Sequence, residues 1–340
     1  MRITLFIPCH NEAQAIRQSA RSWLNQTRPA DEIIVVDDSS TDATPLILRE
    51  PEFAGKITVV RTPRNLGNKS HAQEFGLQFV TGDIFVTSDG DTLLAPDFIE
   101  RIEKDFENPT VAAVGGYVKS LKYNWLTRHR AFEYSIGQNL HKLAQSYLGF
   151  MFVIPGAAGA FRTHVFREYL SFDHDTITED LDFTYKLHKN GFKILFDRNA
   201  IVYTQDPATI RCYFLQMQRW FGGGWQNLRK HYSIASFPPQ ALELSLMYIE
   251  GVVYSVLAFL IPILNIRLAG NILLLIFSTA SVLSVFAAIR EKRLDMLLVP
   301  FPYLFLLYVN AYVFLEQFVK EFIFHKRQNV WISPKRLTLA

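Results

Sequence analysis

Asp83-Ile84-Phe85-Val86-Thr87-Ser88-Asp89-Gly90-Asp91 is a short apolar run closed by acids. A β-branched and aromatic run of this length predicts a buried strand that delivers carboxylates to its C-terminal end. Upstream, Glu32-Ile33-Ile34-Val35-Val36-Asp37-Asp38 repeats the pattern, and shorter apolar runs occupy residues 3–7 and 57–60. Between them, residues 11–24, 44–48 and 70–80 carry helical spacing. Strands alternating with helices predict an α/β domain whose mostly parallel sheet has helices on both faces. In such sheets ligands sit beyond the carboxyl ends of the strands. Here those ends read Pro8-Cys9-His10-Asn11-Glu12, Asp37-Asp38-Ser39-Ser40, Asn65-Leu66-Gly67-Asn68-Lys69 and Asp89-Gly90-Asp91, so one polar crevice is expected.

Composition narrows the function classes. The 340 residues hold 35 Lys and Arg against 32 Asp and Glu, a net charge of +3, which argues against nucleic acid as a partner. Two cysteines, Cys9 and Cys212, exclude a disulfide scaffold and suit a reducing compartment. The N-terminus has no long apolar core, so no signal peptide is expected. Charge is unevenly spread. Residues 1–240 carry 26 acidic and 26 basic side chains, whereas residues 268–289 and 296–315 carry none and residues 251–266 none either. The first two runs are each long enough to cross a hydrocarbon core of about 30 Å. The reading is a soluble domain over residues 1–231 and a membrane region of about three apolar helices over 241–324, followed by a basic tail, 325–340.

Several side-chain groups suit the binding of phosphates and a divalent cation. Asp89 and Asp91 flank a glycine that permits a tight turn, and a hard divalent cation is commonly bound by one or two carboxylates plus substrate phosphates. Lys69, in a glycine-containing loop, could pair with a diphosphate as a point charge. Thr178-Glu179-Asp180 opens a helix that stops at Gly191. Farther on, Gln216, Arg219 and Trp220 stand at i, i+3 and i+4, on a different helical face from Ile210, Phe214, Met217 and Phe221. An amide, a guanidinium and an indole on one face suit phosphate pairing and ring stacking.

In this order, Pro8…Asn11-Glu12, Asp37-Asp38-Ser39, Asn65-x-Gly67-x-Lys69, Asp89-x-Asp91, Thr178-Glu179-Asp180 and Gln216-x-x-Arg219-Trp220 resemble the motifs of the family 2 processive glycosyltransferases. That family includes the cellulose, chitin, hyaluronan and poly-N-acetylglucosamine synthases. The resemblance implies a GT-A fold, a UDP-sugar donor and Mg²⁺ or Mn²⁺. It implies that Glu12, Asp37 and Asp38 hold the uridine side, with Lys69 approaching the same nucleotide. Asp89 would contact the donor's nucleotide or sugar, and Asp91 would ligate the metal. Asp180, with Glu179 beside it, would be the catalytic base. Gln216, Arg219 and Trp220 would clamp the diphosphate, and Trp220 would border the acceptor. More loosely, residues 155–162, Gly156 among them, resemble a small-residue segment lining the acceptor pocket, and Trp331 and Arg336 resemble a gating loop over the site.

The implied activity is inverting transfer of a β-linked sugar from UDP-sugar to a growing polysaccharide, the alternative being a single addition that makes a glycolipid or lipid-linked sugar. A glycan or lipid acceptor and the membrane itself are the expected partners. Residues 121–149 and 207–231 are expected as amphipathic helices at the membrane interface, with Lys122, Arg128, Arg130 and Lys142 toward headgroups; for the first, packing against the catalytic domain is the competing reading. Arg290-Glu291-Lys292-Arg293 belongs on the cytoplasmic side by the positive-inside rule, as does a domain that meets UDP-sugar; a multi-pass cell-membrane protein follows. Three crossings would export the basic tail, so either the third apolar segment, with Pro300, Pro302 and Glu316, is re-entrant or broken into two shorter passes, or the chain spans three times with an external basic tail; the tail inside is the favoured expectation. So few membrane helices also leave room for a homo-oligomer or an accessory subunit.

Overall fold

The strands run β1 (Ile3–Cys9), β2 (Glu32–Asp37), β3 (Thr58–Arg61), β4 (Ile84–Thr87), β5 (Leu93–Leu94), β6 (Val111–Ser120), β7 (Gly159–Arg162) and β8 (Lys193–Thr204). They form one eight-stranded sheet in the order β3-β2-β1-β4-β7-β6-β8-β5. The computed structural model describes residues 1–232 and 238–325, without the side chains of 238–246. Trp331 and Arg336 lie outside the described residues.

Four neighbouring pairs are parallel, β1 with β2 and β4, β2 with β3, and β6 with β8. Antiparallel β7 joins the two halves by pairing with both β4 and β6, and β5 closes the edge on β8. The continuous apolar runs are explained by burial on both faces. Along β1, Ile3, Leu5 and Ile7 enter a core with Trp23, Phe53 and Phe98, while Phe6 faces the opposite core with Phe85, Phe161 and Phe166. The first core is covered by α1 (Ile16–Leu24), α2 (Thr44–Ile47) and α4 (Phe98–Asp105), the second by α3 (Lys69–Leu77), α7 (Thr163–Tyr169) and α8 (Glu179–Lys189).

Helix α1 begins at Ile16, later than the spacing predicts. Asn11 takes φ +56 and its side chain accepts the Thr41 amide at 2.8 Å. The Glu12 carbonyl accepts from the Ala15 and Ile16 amides, so residues 11–15 form a turn facing the strand ends. Residues 159–162, within the segment expected to line a pocket, form the largely buried central strand β7, from which Phe161 lines a small void beside Glu179 and Asp180.

The segment expected as one interfacial helix divides into α5 (Trp125–Ile136), a π-helical turn over Gly137–Lys142, and α6 (Leu143–Leu148). An Asn124–Thr127 capping box starts α5. Leu126, His129 and Phe132 pack into the protein, and Arg130, expected toward headgroups, is buried as well. Trp125, Leu140 and Tyr147 remain exposed.

Four long helices follow: α9 (Ile210–Lys230), α10 (Pro238–Leu264), α11 (Ile266–Glu291) and α12 (Pro300–Phe318). Among the described residues three stretches are long and apolar enough to cross a membrane, Met247–Leu264, Ile266–Glu291 and Pro300–Ile323. The last is not broken: Pro300 and Pro302 sit in the first turn of α12, where a missing N–H leaves no intrahelical bond unmade. The end of α11 returns to the sheet. Glu291 pairs with Lys119 at 2.7 Å and accepts from the Tyr117 hydroxyl at 2.7 Å, and Arg290 donates to Asn139 at 3.1 Å.

Candidate active site

Adjacent strands put their C-terminal turns side by side, and each acid there has a distinct duty. Asp37 is fully buried; its Oδ1 accepts from the Ser40 amide at 2.9 Å and its Oδ2 pairs with Arg61 at 2.6 Å. Asp38 accepts from the Thr62 hydroxyl at 2.8 Å and the Leu66 amide at 3.0 Å, fixing the loop that leads to Lys69. Both carboxylates therefore shape the rim of the crevice through protein partners. Above them, His10 bonds the Asp38 carbonyl through Nδ1 at 2.7 Å, and the Asn65 amide reaches its Nε2 at 3.0 Å. Gly90 lets Glu12 approach the Asp89–Asp91 turn: a Cβ there would lie 3.1 Å from Glu12 Cγ and 3.1 Å from Cys9 Cβ. Burial and the surrounding acids, Asp37 first and then Glu12, push the Cys9 thiol well up, so it is a neutral filler here.

Lys69 is the hub of the charged cluster. Its Nζ lies 2.6 Å from Asp89 Oδ1 and 3.5 Å from Glu179 Oε1. Asp180 Oδ2 accepts from the Gly156 amide at 3.3 Å, and a Cβ on Gly156 would stand 3.2 Å from Lys69 Nζ. Lys69, Asp89, Gly156, Glu179 and Asp180 thus form one cluster. Behind Glu179 and Asp180 lies a small apolar void lined by Phe85, Phe161, Phe166 and Phe183. Burial opposes the Lys69 charge, yet Asp89, Glu179 and Asp180 outweigh it and hold the ammonium above its ordinary value. Burial likewise pushes the Glu179 carboxyl up, against the pull of Lys69 and with the help of Asp180. A larger open hollow by Met1, Asp83, Arg162 and Glu168 lies at the opposite ends of these strands, away from the acids.

The Asp91 carboxyl is buried at the strand end. Among the described residues no three His, Cys, Asp or Glu side chains form a ready-made metal cage. An all-oxygen donor set with one or two carboxylates fits a Mg²⁺-type ion whose remaining ligands come from a bound diphosphate and water.

Helix α9 carries Gln216, Arg219 and Trp220, and its next turn explains where they stand. Gly222, Gly223 and Gly224 face three different neighbours. A Cβ on Gly223 would collide with the Thr178 side chain, one on Gly222 would lie 3.0 Å from Gln317, and one on Gly224 would lie 2.9 Å from the Tyr248 hydroxyl. Asn227 donates to the Thr178 carbonyl at 3.2 Å and hydroxyl at 3.0 Å, and Gln226 accepts the Ile177 amide at 2.9 Å. Arg219 and Gln216 are one and two turns before Gly223 on this stripe, directed along the helix that seals the start of α8. Trp220 is half-buried and packs with Leu126, Tyr213 and Met217, so its indole shares the apolar seam that the spacing had assigned to the other face.

With the fold and these groups in hand, comparison with known proteins gives the class first. The mannosyltransferase PcManGT from Pyrobaculum calidifontis, solved in complex with GDP-Man and Mn²⁺, superposes with a TM-score of 0.65 at 23% identity, over 96% of this chain and 88% of that one. The fold is therefore GT-A-like. Residues 1–223 match the model of the "Glycosyltransferase like family 2" group, and the chain belongs to that family of sugar transferases. Poly-beta-1,6-N-acetyl-D-glucosamine synthase of Staphylococcus epidermidis is 27% identical over 265 residues, 76% of this chain and 64% of that protein. Hyaluronan synthase of Streptococcus pyogenes is 30% identical over 236 residues, 64% of this chain and 56% of that protein. The chain thus spans less than two thirds of the length of either relative.

Sequence reasoning passed over Gly223, Gln226 and Asn227, although a signal was present. Three consecutive glycines inside a helix cost about 0.5–1 kcal/mol each relative to alanine, which calls for a packing reason. Gly223→Ala should push Thr178 and the adjoining Glu179 and Asp180 aside and lower kcat for sugar transfer by about tenfold to a hundredfold, the scale of a 1 Å misplacement. Steady-state rates of the purified variant check it; unchanged kcat would mean that α9 does not set the position of these acids.

Proposed function

We propose that this chain is an inverting, metal-dependent β-glycosyltransferase of the cell membrane that transfers sugar from a UDP-sugar to a growing polysaccharide. One observation carries the reading. Lys69, Asp89, Glu179, Asp180 and the Gly156 amide form one cluster of contacts, and the helix bearing Gln216, Arg219 and Trp220 is anchored at Thr178, beside two of them. The names of the two synthases it resembles support a polysaccharide product, with N-acetylglucosamine the first sugar to try.

In this reading Asp180 takes the proton of the acceptor hydroxyl as its oxygen bonds to the anomeric carbon. The bond to the phosphate oxygen breaks on the opposite face, and UDP leaves with the electron pair. One positioned carboxylate suffices as base. Lys69 and Arg219 offset charge gathering on the leaving diphosphate. Glu12, Asp37 and Asp38 form the uridine side of the crevice, the last two by holding its rim. Asp91, with Asp89 near it, would hold Mg²⁺ or Mn²⁺ against the diphosphate, where the ion supplies Lewis-acid stabilisation of the leaving group.

The catalytic domain faces the cytoplasm, where UDP-sugars are. Helices α10 and α11 make two crossings, because α10 starts beside Trp225 through Tyr248 and α11 ends at Tyr117 through Glu291. Helix α12 meets α10 through Tyr308 and Phe259 and α11 through Phe301 and Phe277, and it also runs along α9. Asn310 accepts from Tyr213 at 2.9 Å, Glu316 from Gln218 at 2.7 Å and Glu321 from Gln226 at 2.7 Å, and the Phe314 carbonyl accepts from the Trp225 indole at 3.3 Å. A helix bound turn by turn to α9, itself held to the sheet domain at both ends, stays at the membrane surface. The basic tail then emerges on the catalytic side, as the positive-inside rule asks.

Purified protein in nanodiscs, given a panel of UDP-sugars with Mg²⁺ or Mn²⁺, should elongate a chain with one of them; a product carrying a single added sugar would overturn the polysaccharide reading. Asp180→Asn should lower transfer by at least about a hundredfold with UDP binding nearly unchanged, and an active Asn variant would remove Asp180 as base. In a cysteine-free background, His325→Cys should react with an impermeant maleimide only after cells are opened. Labelling of intact cells would mean that α12 crosses.

A further inference from the structure

Arg130 lies in α5, far along the chain from every motif above, yet it touches one of them. Its guanidinium centre stands 4.6 Å from the ring centroid of Trp220, 4.7 Å from that of Tyr134 and 5.9 Å from that of Tyr213. The side chain is buried, and its charge is met by Glu133 on the same helix and by Asp206, 3.5 Å away, in the segment between β8 and α9. Tyr134 ties into the same group, donating to Asp206 at 3.1 Å. The Nη2 atom of Arg130 has no acceptor among the described residues.

A buried ion pair is weak support for stability, since well-packed apolar residues often do as well. Two pairs would also be served by lysine. What lysine lacks is a flat cation that stacks on rings. Here the cation lies over the indole of a half-buried tryptophan. Tyr213 is itself fixed from behind by Asn310 of α12 at 2.9 Å, so the Arg130 side chain is held between α5, the β8–α9 junction and α9. An indole pinned in this way keeps one orientation through repeated turnover, which a stacking platform for sugar rings requires.

We propose that Arg130 is a positioning residue for the acceptor subsite, holding the Trp220 indole in the orientation that the acceptor sugar meets. The inference rests on the reading above that Trp220 borders the acceptor. It assigns Arg130 no contact with donor or metal.

The test uses the full chain in nanodiscs, with the donor selected by the panel above and a five-sugar chain of the same residue as acceptor. Arg130→Lys keeps the charge and its ion pairs but loses the stack; it should keep the thermal midpoint within a few degrees. Its acceptor KM should rise about three- to tenfold, the weight of a cation–ring contact, with kcat and donor KM within about twofold. Arg130→Gln should raise acceptor KM further. If both variants melt lower but keep the wild-type acceptor KM, Arg130 is only structural and the inference fails. Trp220→Ala separates the two levels. Should it leave acceptor KM unchanged, the acceptor reading falls and the inference with it; should it raise KM while Arg130→Lys and Arg130→Gln do not, the inference alone falls.

Discussion

Everything at this site hangs on the close approach at Gly222, Gly223 and Gly224. One turn of α9 meets α12 through Gln317, α8 through Thr178 and α10 through Tyr248, and no side chain beyond hydrogen fits at the Thr178 contact. Side chains of ordinary size would hold these elements apart. Instead α9 bears directly on the residue that precedes Glu179 and Asp180. The position of these two acids is thereby tied to the helix pair α9–α12 as much as to the sheet that leads to Lys69 and Asp89.

The electrostatics follow from that closure. Three carboxylates, on Asp89, Glu179 and Asp180, are gathered around one lysine, with phenylalanines behind the last two. Such a group is costly to bury unless cations balance it. Lys69 supplies one positive charge, and a divalent metal ion would supply two more. The acids at the neighbouring strand ends are different in kind. Asp37 and Asp38 are used up by Arg61, Ser40, Thr62 and Leu66, so they build the crevice rather than fill it.

Much of this was legible in the amino-acid order. Continuous β-branched runs identified β1, β2 and β4, since only a sheet covered on both faces buries such runs, and acids at their ends located the crevice. The uncharged runs over residues 268–289 and 296–315 identified α11 and α12. What was not legible depends on distant contacts. Residues 159–162 are too short and too rich in small side chains to announce a central strand, and become one only between β4 and β6. Arg130 looks like one cation among several on an amphipathic helix until Asp206 and three rings surround it. Proline suggested a break in the third apolar segment, but position within the first turn makes it harmless. Trp220 leaves its expected face because an indole is wide enough to reach the neighbouring seam.

The central claim is that side chains from the sheet and from α9 serve one ligand. A cryo-EM structure of the full chain in nanodiscs with UDP and Mn²⁺ tests it most directly. The account predicts a single diphosphate in contact with Arg219 on one side and, through the ion, with Asp91 on the other. Density that places UDP against Asp91 with Arg219 turned into a separate hollow would contradict it.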